Sequence, residues 1–438
     1  MLAESARALS STRKTLAVVG AGWAGLAAAV RATEAGHQVC LFDMAPHPGG
    51  RARAVEHEGI MLDNGQHILI GAYRDTLALM RTVGADPVNL FDRRPLALPD
   101  AQGRGLALPR GPAVPAFIRA VLALEDWPLS ERLALLAAAL RWRLSGFRAG
   151  PTHTVADLVR TLPERARQTL IDPLCVAALN TPSSQASAQV FLRVLRDALF
   201  SGRGGADLLL PRVSLSALLP TPAVKWLQAH GAELRWTARV QRIEPTADAH
   251  WQVDGQAFGS VLLACSAHEA ARLTQPVAPG WSRTTAAFDY EPIVTVYLSN
   301  PGLRLLSPMV ALRSGPDAPA QFAFDLGALD ASGARSGLFA FVISGARAWV
   351  EAGLDNTAQA ALRQARSSFG ASSWTVVRTI AERRATFLCK PGMTRPPSAV
   401  APGLAAAGDY VDGPYPATLE GAVRSAMTAL NSLGLRSS

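Results

Sequence analysis

Lysine is nearly absent. Arginine supplies all but three of the 43 basic residues, the exceptions being Lys14, Lys225 and Lys390. Against 34 acidic residues this leaves a net charge of +9, an excess that suits nucleic acid or anionic lipid. No basic run is interleaved with aromatics and no RNA-binding or zinc spacing occurs, which argues against nucleic acid and against a metal site. Cysteine is scarce too: Cys40, Cys175, Cys265 and Cys389 lie far apart. That excludes a disulfide framework and reads as small buried hydrophobes in a reducing cytosol. No uninterrupted apolar run reaches the ~18 residues that span a bilayer. Met1 to Lys14 is short and polar, without the apolar core of an export signal, and reads as a disordered lead-in. A cytoplasmic protein, dissolved or lying on a membrane surface, is expected. With 438 residues, 49% of them hydrophobic, the chain can build two domains.

What is present begins at Leu16–Asp43, which reads as strand, glycine turn, helix, strand. Leu16 to Val19 suits a buried parallel strand. Gly20, Gly22 and Gly25 then follow at G-x-G-x-x-G spacing, with Trp23 and Ala24 inside the turn. The first glycine allows the sharp turn, the second lets backbone approach a pyrophosphate, and the third lets helix pack on strand. The helix N-terminus offers free N–H groups to an anion. Asp43 ends the second strand at the position of an acid that binds an adenosine ribose. Gly49-Gly50-Arg51 follows, with glycines for close approach and an arginine able to bridge phosphate oxygens. Near the C-terminus a strand ends at Gly408-Asp409. A helix then starts near Pro416–Thr418, and its N-terminus can again stabilise negative charge.

The Gly20–Arg51 segment resembles the amine oxidase and carotenoid desaturase superfamily of flavoproteins, which implies FAD rather than NAD. The run from Asp63 through Asn64, Gly65, Gln66 and His67 to Gly84 resembles its squalene-associated branch, the hydroxysqualene dehydroxylases of hopanoid synthesis. Leu179-Asn180-Thr181-Pro182 resembles the substrate domain of the same branch. The resemblance places Asn64, Gly65 and Gln66 near the flavin. It lays the backbone of Val240 against the adenine and runs the strand ending at Ala264 under the dinucleotide. Asp409 is placed near the pyrophosphate, and Thr418, Leu419 and Glu420 face the flavin ring. With no cysteine after Cys389, FAD is expected to be non-covalent. Only Lys390 is left for the lysine that oxidases of the superfamily often use with oxygen. A reductase or desaturase is therefore favoured over an oxidase.

The implied fold is α/β: a Rossmann-type FAD-binding domain, as in amine oxidase-like two-domain flavoproteins, with an inserted α+β substrate domain. The FAD domain is expected over 14–85, 208–267 and 395–438. A helical, membrane-facing part is expected over 86–207 and a mixed, largely antiparallel sheet over 268–394. Helices are predicted over Leu129–Leu144, with Ser130 as N-cap, and over Leu215–Gly231; a strand is predicted over Leu234–Ile243. The first helix carries Leu133, Leu136, Leu140 and Leu144 on one stripe beside Arg141 and Arg143. It is either a core helix or one that dips into lipid headgroups. The implied reaction is reductive dehydroxylation of hydroxysqualene to squalene at the inner face of the membrane. The rival readings are a carotenoid-type desaturase and a catalytically silent FAD-containing partner in a squalene-synthesis complex. An acid must protonate the leaving hydroxyl, and the candidates are His67 and Tyr415 first, then Asp63, Asp412 and Tyr410.

Overall fold

The computed structural model describes residues 14–435 except 201, 203, 249, 371 and 372. The expected disordered lead-in falls outside the described residues except for Lys14. The glycine-rich stretch 202–205 is described except at position 203. Strand β1 (Thr15–Val19) runs into helix α1 (Trp23–Glu34), which returns through Gly36 at φ +83° to strand β2 (Gln38–Phe42). β1 and β2 pair in parallel, Leu16 beside Val39. Leu26 to Val30 are buried on every side of α1, which explains why that stretch is apolar and alanine-rich; the helix's two charges, Arg31 and Glu34, come only in its last turn. Strand β3 (Ile60–Asp63) follows, and helix α2 (Arg74–Thr82) turns back onto the same core.

The helical part has a core of its own around Val121, Leu135, Trp142, Phe191 and Leu192. It is built by α3 (Ala113–Leu122), α4 (Leu129–Leu144) and α5 (Ala188–Phe200), among shorter turns. α4 has the predicted bounds but a different cap. Pro128, extended at φ −54° and ψ 144°, precedes it, and Ser130 sits inside the first turn. Its inward strip is Leu135, Ala138 and Trp142, while Leu133, Leu140 and Leu144 face outward. Asn180 adopts the left-handed conformation, φ 45°. Its amide nitrogen donates to Glu291 O and Thr386 Oγ1, both at 3.0 Å, and its oxygen accepts from Gly345 N at 2.7 Å. The Leu-Asn-Thr-Pro segment thus ties the helical part to strands Tyr290–Ser299 and Thr375–Phe387. Phe91–Arg94, inside the expected helical part, pairs with Leu208–Pro211, just past its expected end.

The expected helix over 215–231 is two: α6 (Leu215–Leu218) and α7 (Pro220–Ala229), broken at Leu219. Pro220 has no N–H to continue the ladder and disfavours helical geometry at the residue before it. The expected strand over 234–243 shortens to β4 (Glu233–Arg235). Residues 238–242 are irregular, and Arg272 reaches in to take Val240 O at 2.6 Å and Gln241 O at 2.8 Å. Strand β5 (Ser260–Leu263) then lies parallel to β1. Helix α8 (Ala267–Thr274) packs its Ala267, Ala270 and Leu273 against that sheet.

Strands β6 (Tyr290–Ser299), β7 (Met309–Ala311), β8 (Phe322–Asp325), β9 (Leu338–Ile343) and β10 (Thr375–Phe387) form an antiparallel sheet in the order β7-β8-β9-β6-β10. Helix α9 (Leu354–Phe369) covers one face. The other face, with Tyr297 and Phe324, turns toward Leu62 of β3. The chain re-enters the first sheet through β11 (Ala399–Ala401) and β12 (Leu404–Ala406) and closes with helix α10 (Leu419–Ser432). The strand order there is β4-β2-β1-β5-β12-β11. Segments from both ends of the chain are therefore neighbours, and α1 and α10 lie in one core.

Candidate active site

The carboxyl ends of β1 and β12 lie two strand spacings apart, about 10 Å, and the helix following each presents its N-terminus there. Gly20 sits at φ +111°, and a Cβ on it would lie 2.7 Å from Ala264 O. A Cβ on Gly25 would lie 1.8 Å from Gly20 O. Both positions are closed to any side chain. Gly22 differs: a Cβ there meets nothing within 4 Å. It is the N-cap of α1 and pairs with Gly49 across a parallel bridge, so this glycine keeps open a space beside the helix N-terminus. Trp23 and Ala24 are buried, and the indole of Trp23 donates to Ala52 O at 3.0 Å. Only their backbone amides are left to meet a phosphate. The Asp43 carboxylate accepts from Ala21 N at 2.5 Å and Ala45 N at 2.7 Å. It thereby braces the glycine turn at the edge where the ribose is expected.

Arg51 joins the two ends of the chain. Its Nη2 lies 2.5 Å from Asp409 Oδ1, and its Nη1 donates to Ala385 O at 2.6 Å. Burial opposes the guanidinium charge, but Asp409 outweighs that and raises its pKa. Gly50, at φ +58°, brings the arginine's backbone against Gly22. Gly408 N donates to Ser425 Oγ on α10. Thr418 caps α10 by accepting from Gly421 N at 2.9 Å. The Glu420 side chain does not face this space. Its carboxylate accepts from Thr76 N at 3.0 Å, Thr76 Oγ1 at 2.7 Å and Asp75 N at 3.2 Å, at the start of α2. Glu420 and Leu419 can contribute only backbone amides in the first turn of α10. Val240 is buried, with its carbonyl already bound to Arg272.

The Asp63–His67 turn is fixed from both sides. Asn64 Nδ2 donates to Arg51 O at 3.1 Å and Glu382 Oε2 at 2.9 Å. Gln66 Nε2 donates to Tyr297 OH at 3.1 Å, and Tyr297 OH donates to Asp63 O at 2.7 Å. Glu382 and Tyr297 were not among the predicted site residues. The one available signal was their place in alternating strands. Gly65 is buried, yet a Cβ on it would meet nothing within 4 Å, so an enclosed space lies against this turn. His67 Nδ1 lies 2.8 Å from Gly65 O, so that nitrogen carries the proton in the neutral ring. Burial pushes its pKa down, and Arg51 adds to that effect.

The structure engages three of the five candidate acids elsewhere and buries a fourth, Tyr410. Asp412 is exposed and paired with Arg395 at 3.3 Å. Tyr410 is 1% exposed, and its hydroxyl has no partner among the described residues and no open surface through which to deliver a proton. Tyr415 hydrogen-bonds Asp197. Its ring is flanked by Arg193 and Arg424 at 5.6 and 5.1 Å, so it clamps α5 to the loop before α10. Burial and then Asp197 raise its pKa, which holds its proton. Asp63 accepts from Leu215 N at 2.8 Å at the start of α6, and burial pushes its pKa up to about 7. Of the lysines, Lys390 forms a surface ion pair with Asp289 at 3.1 Å, and Lys225 is exposed on α7.

The raised pKa of Asp63 sets a pH dependence. Between the unfolded value near 4 and about 7, the folded protein holds a proton that the unfolded chain releases. The associated stability is present at low pH and lost as pH rises through 7. Asp63→Asn, which can still accept from Leu215, should gain on the wild-type melting temperature between pH 5 and pH 8, by roughly 2 °C or more. An equal shift at both pH values would show that the carboxyl is charged throughout.

Two glycines closed to any Cβ, a third facing open space, two helix N-termini and an arginine ion-paired between the chain ends fit a dinucleotide's pyrophosphate. Comparison with known proteins agrees. The family model described as flavin containing amine oxidoreductase matches residues 23–429. A hydroxysqualene dehydroxylase of Rhodopseudomonas palustris is 28% identical over 94% of this chain and 96% of its own. A protein of Synechococcus elongatus named "Probable zeta-carotene desaturase" is 27% identical over 65% of each chain. The crystal structure of an oxidoreductase from Methanosarcina mazei superposes with a TM-score of 0.72 at 16% identity, covering 95% of this chain and all of that one. The chain belongs to the family of flavin-containing amine oxidoreductases, and its cofactor is FAD.

Proposed function

We propose that this flavoprotein reduces hydroxysqualene to squalene, as a step of hopanoid synthesis. The observation that carries the proposal is likeness to a dehydroxylase along nearly the whole length of both chains. Gly20, Gly22, Gly25, Gly50 and Arg51 would hold FAD non-covalently from the first half of the chain. Asp409 and the amides of Thr418 to Glu420 would hold it from the second. Bound in its reduced form, FAD supplies a hydride. The residues of the chain must then bind a long apolar substrate, exclude water and move one proton. His67 is the residue left to supply that proton, since its Nε2 has no partner among the described residues. The proton joins the leaving hydroxyl, the C–O bond breaks to release water, and the carbon takes the hydride. One alcohol, one proton and one hydride give one alkene product and one water. The Asn64, Gln66 and Tyr297 hydrogen bonds fix the turn that carries the imidazole. The absence of lysine from the site accords with a reductase rather than an oxygen-using oxidase.

The likeness to a carotenoid desaturase favours a second reading, oxidation of a polyene on the same scaffold. Anaerobic incubation with hydroxysqualene and a reductant, followed by product analysis, separates the two. Squalene appearing only when reductant is present supports the proposal. No squalene, together with desaturation of a carotenoid when a quinone is supplied, supports the rival.

A further inference from the structure

No helix among the described residues is long and apolar enough to cross a membrane, but one surface is built to lie on a bilayer. On α4, Leu129, Leu133, Leu140 and Leu144 are 60, 52, 56 and 78% exposed. Their spacing of four, seven and four residues keeps them on one face over about 22 Å of helix. On the packed neighbour α3, Ile118 and Leu122 also face outward. Six of the eleven large hydrophobic side chains exposed among the described residues are therefore in one helix pair, and clustering of this kind marks an interaction surface. Residues 110–148 carry six arginines against three acids. Two of those acids, Asp126 and Glu131, are already paired with Arg104 and Arg165 from outside the segment. Beside the first turn of α3 lies a cavity of about 340 Å³, with Arg93, Arg94 and Arg110 above Leu96 and Leu108. Arg93 is paired with Asp207 and Arg94 with Asp92, whereas Arg110 has no acidic partner among the described residues.

We infer that the outer face of α3 and α4 docks on an anionic lipid bilayer. The leucines enter the headgroup–acyl boundary, and Arg110, Arg119 and Arg148 meet lipid phosphates. Apolar insertion combined with basic attraction is how interfacial helices bind. The inference gives the isoprenoid reading a route for a water-insoluble substrate, but its test is independent of turnover.

Flavin-loaded full-length protein is sedimented with phosphatidylcholine vesicles that contain or lack phosphatidylglycerol. Wild type should bind the anionic vesicles at least about tenfold more tightly, with the preference fading at high salt. Leu133→Asp with Leu140→Asp should lose binding to both vesicles, and Arg110→Glu with Arg148→Glu should lose only the anionic preference. All variants should keep the flavin spectrum, which shows that they are folded. Inorganic phosphate at millimolar concentration should leave vesicle binding unchanged; displacement would make the arginines a free-phosphate site and overturn the lipid assignment. Wild type that fails to sediment, or leucine variants that bind like wild type, would overturn the inference. So would leucine variants that convert a dimer to a monomer without any vesicle binding, since the face would then belong to a second copy of the chain.

Discussion

Gly22→Ala is expected to yield a folded, colourless protein. The added methyl meets no protein atom within 4 Å, and the backbone at φ −72° accepts an L-residue. Nothing in the polypeptide therefore resists the substitution. What resists it is the ligand, because the methyl stands where the pyrophosphate must approach the start of α1. FAD affinity should fall at least about 100-fold, equivalent to ~2.7 kcal/mol. The apoprotein's melting temperature should stay within about 2 °C of wild type. Gly25→Ala is the contrasting case: its methyl would lie 1.8 Å from a backbone oxygen, so the turn itself must give way and the fold suffers along with the cofactor. Flavin fluorescence titration and thermal melts of the two variants separate a ligand contact from a packing contact. Gly22→Ala that binds FAD like wild type would mean that the cofactor does not approach here.

His67→Gln should lower turnover by about 10²- to 10⁴-fold, the usual range for a positioned proton donor. Flavin affinity should be unchanged, because the side chain contacts no part of the glycine cradle. The pH dependence carries the sharper test. Burial and Arg51 lower the histidine pKa, so the imidazolium form is scarce at neutrality. If that form donates, kcat rises as pH falls below the ordinary histidine range and declines above it. The glutamine variant should lose this acid-side rise. A wild-type profile that is flat from pH 5 to 8 would remove His67 from the proton transfer. Burial of the imidazole has a stability counterpart of fixed sign. A lowered folded pKa means that the unfolded chain binds more protons, so this histidine costs stability as pH falls.

The glycine turn is plain in the sequence because its requirements are local. A glycine that must avoid a neighbouring carbonyl is visible in a six-residue pattern, and Gly20, Gly22 and Gly25 stand where that pattern predicts. Side-chain direction is not local, and most of the misreadings come from it. Tyr410, Asp412 and Tyr415 all follow Asp409 closely, yet one faces a sealed core, one the solvent and one an aspartate on α5. Glu420 lies in the right helix, but its carboxylate goes to the start of α2. The bounds of α4 are legible from composition. Its orientation is not, because leucine and alanine fill nearly every face and leave only a weak periodicity. The break at Pro220 follows from a rule a single residue supplies. The loss of strand structure after Arg235 depends on Arg272, which is distant in sequence. Glu382 and Tyr297 hold the Asp63–His67 turn through contacts, distant in sequence, that no short motif encodes.

The most direct test of the account is a single turnover under anaerobic conditions. Protein reduced stoichiometrically with dithionite is mixed with hydroxysqualene, and the visible absorbance of the oxidised flavin is followed alongside product formation. The account predicts that the yellow colour returns at the rate squalene appears, with one squalene formed per flavin. Flavin that remains bleached while the alcohol is recovered unchanged would contradict it.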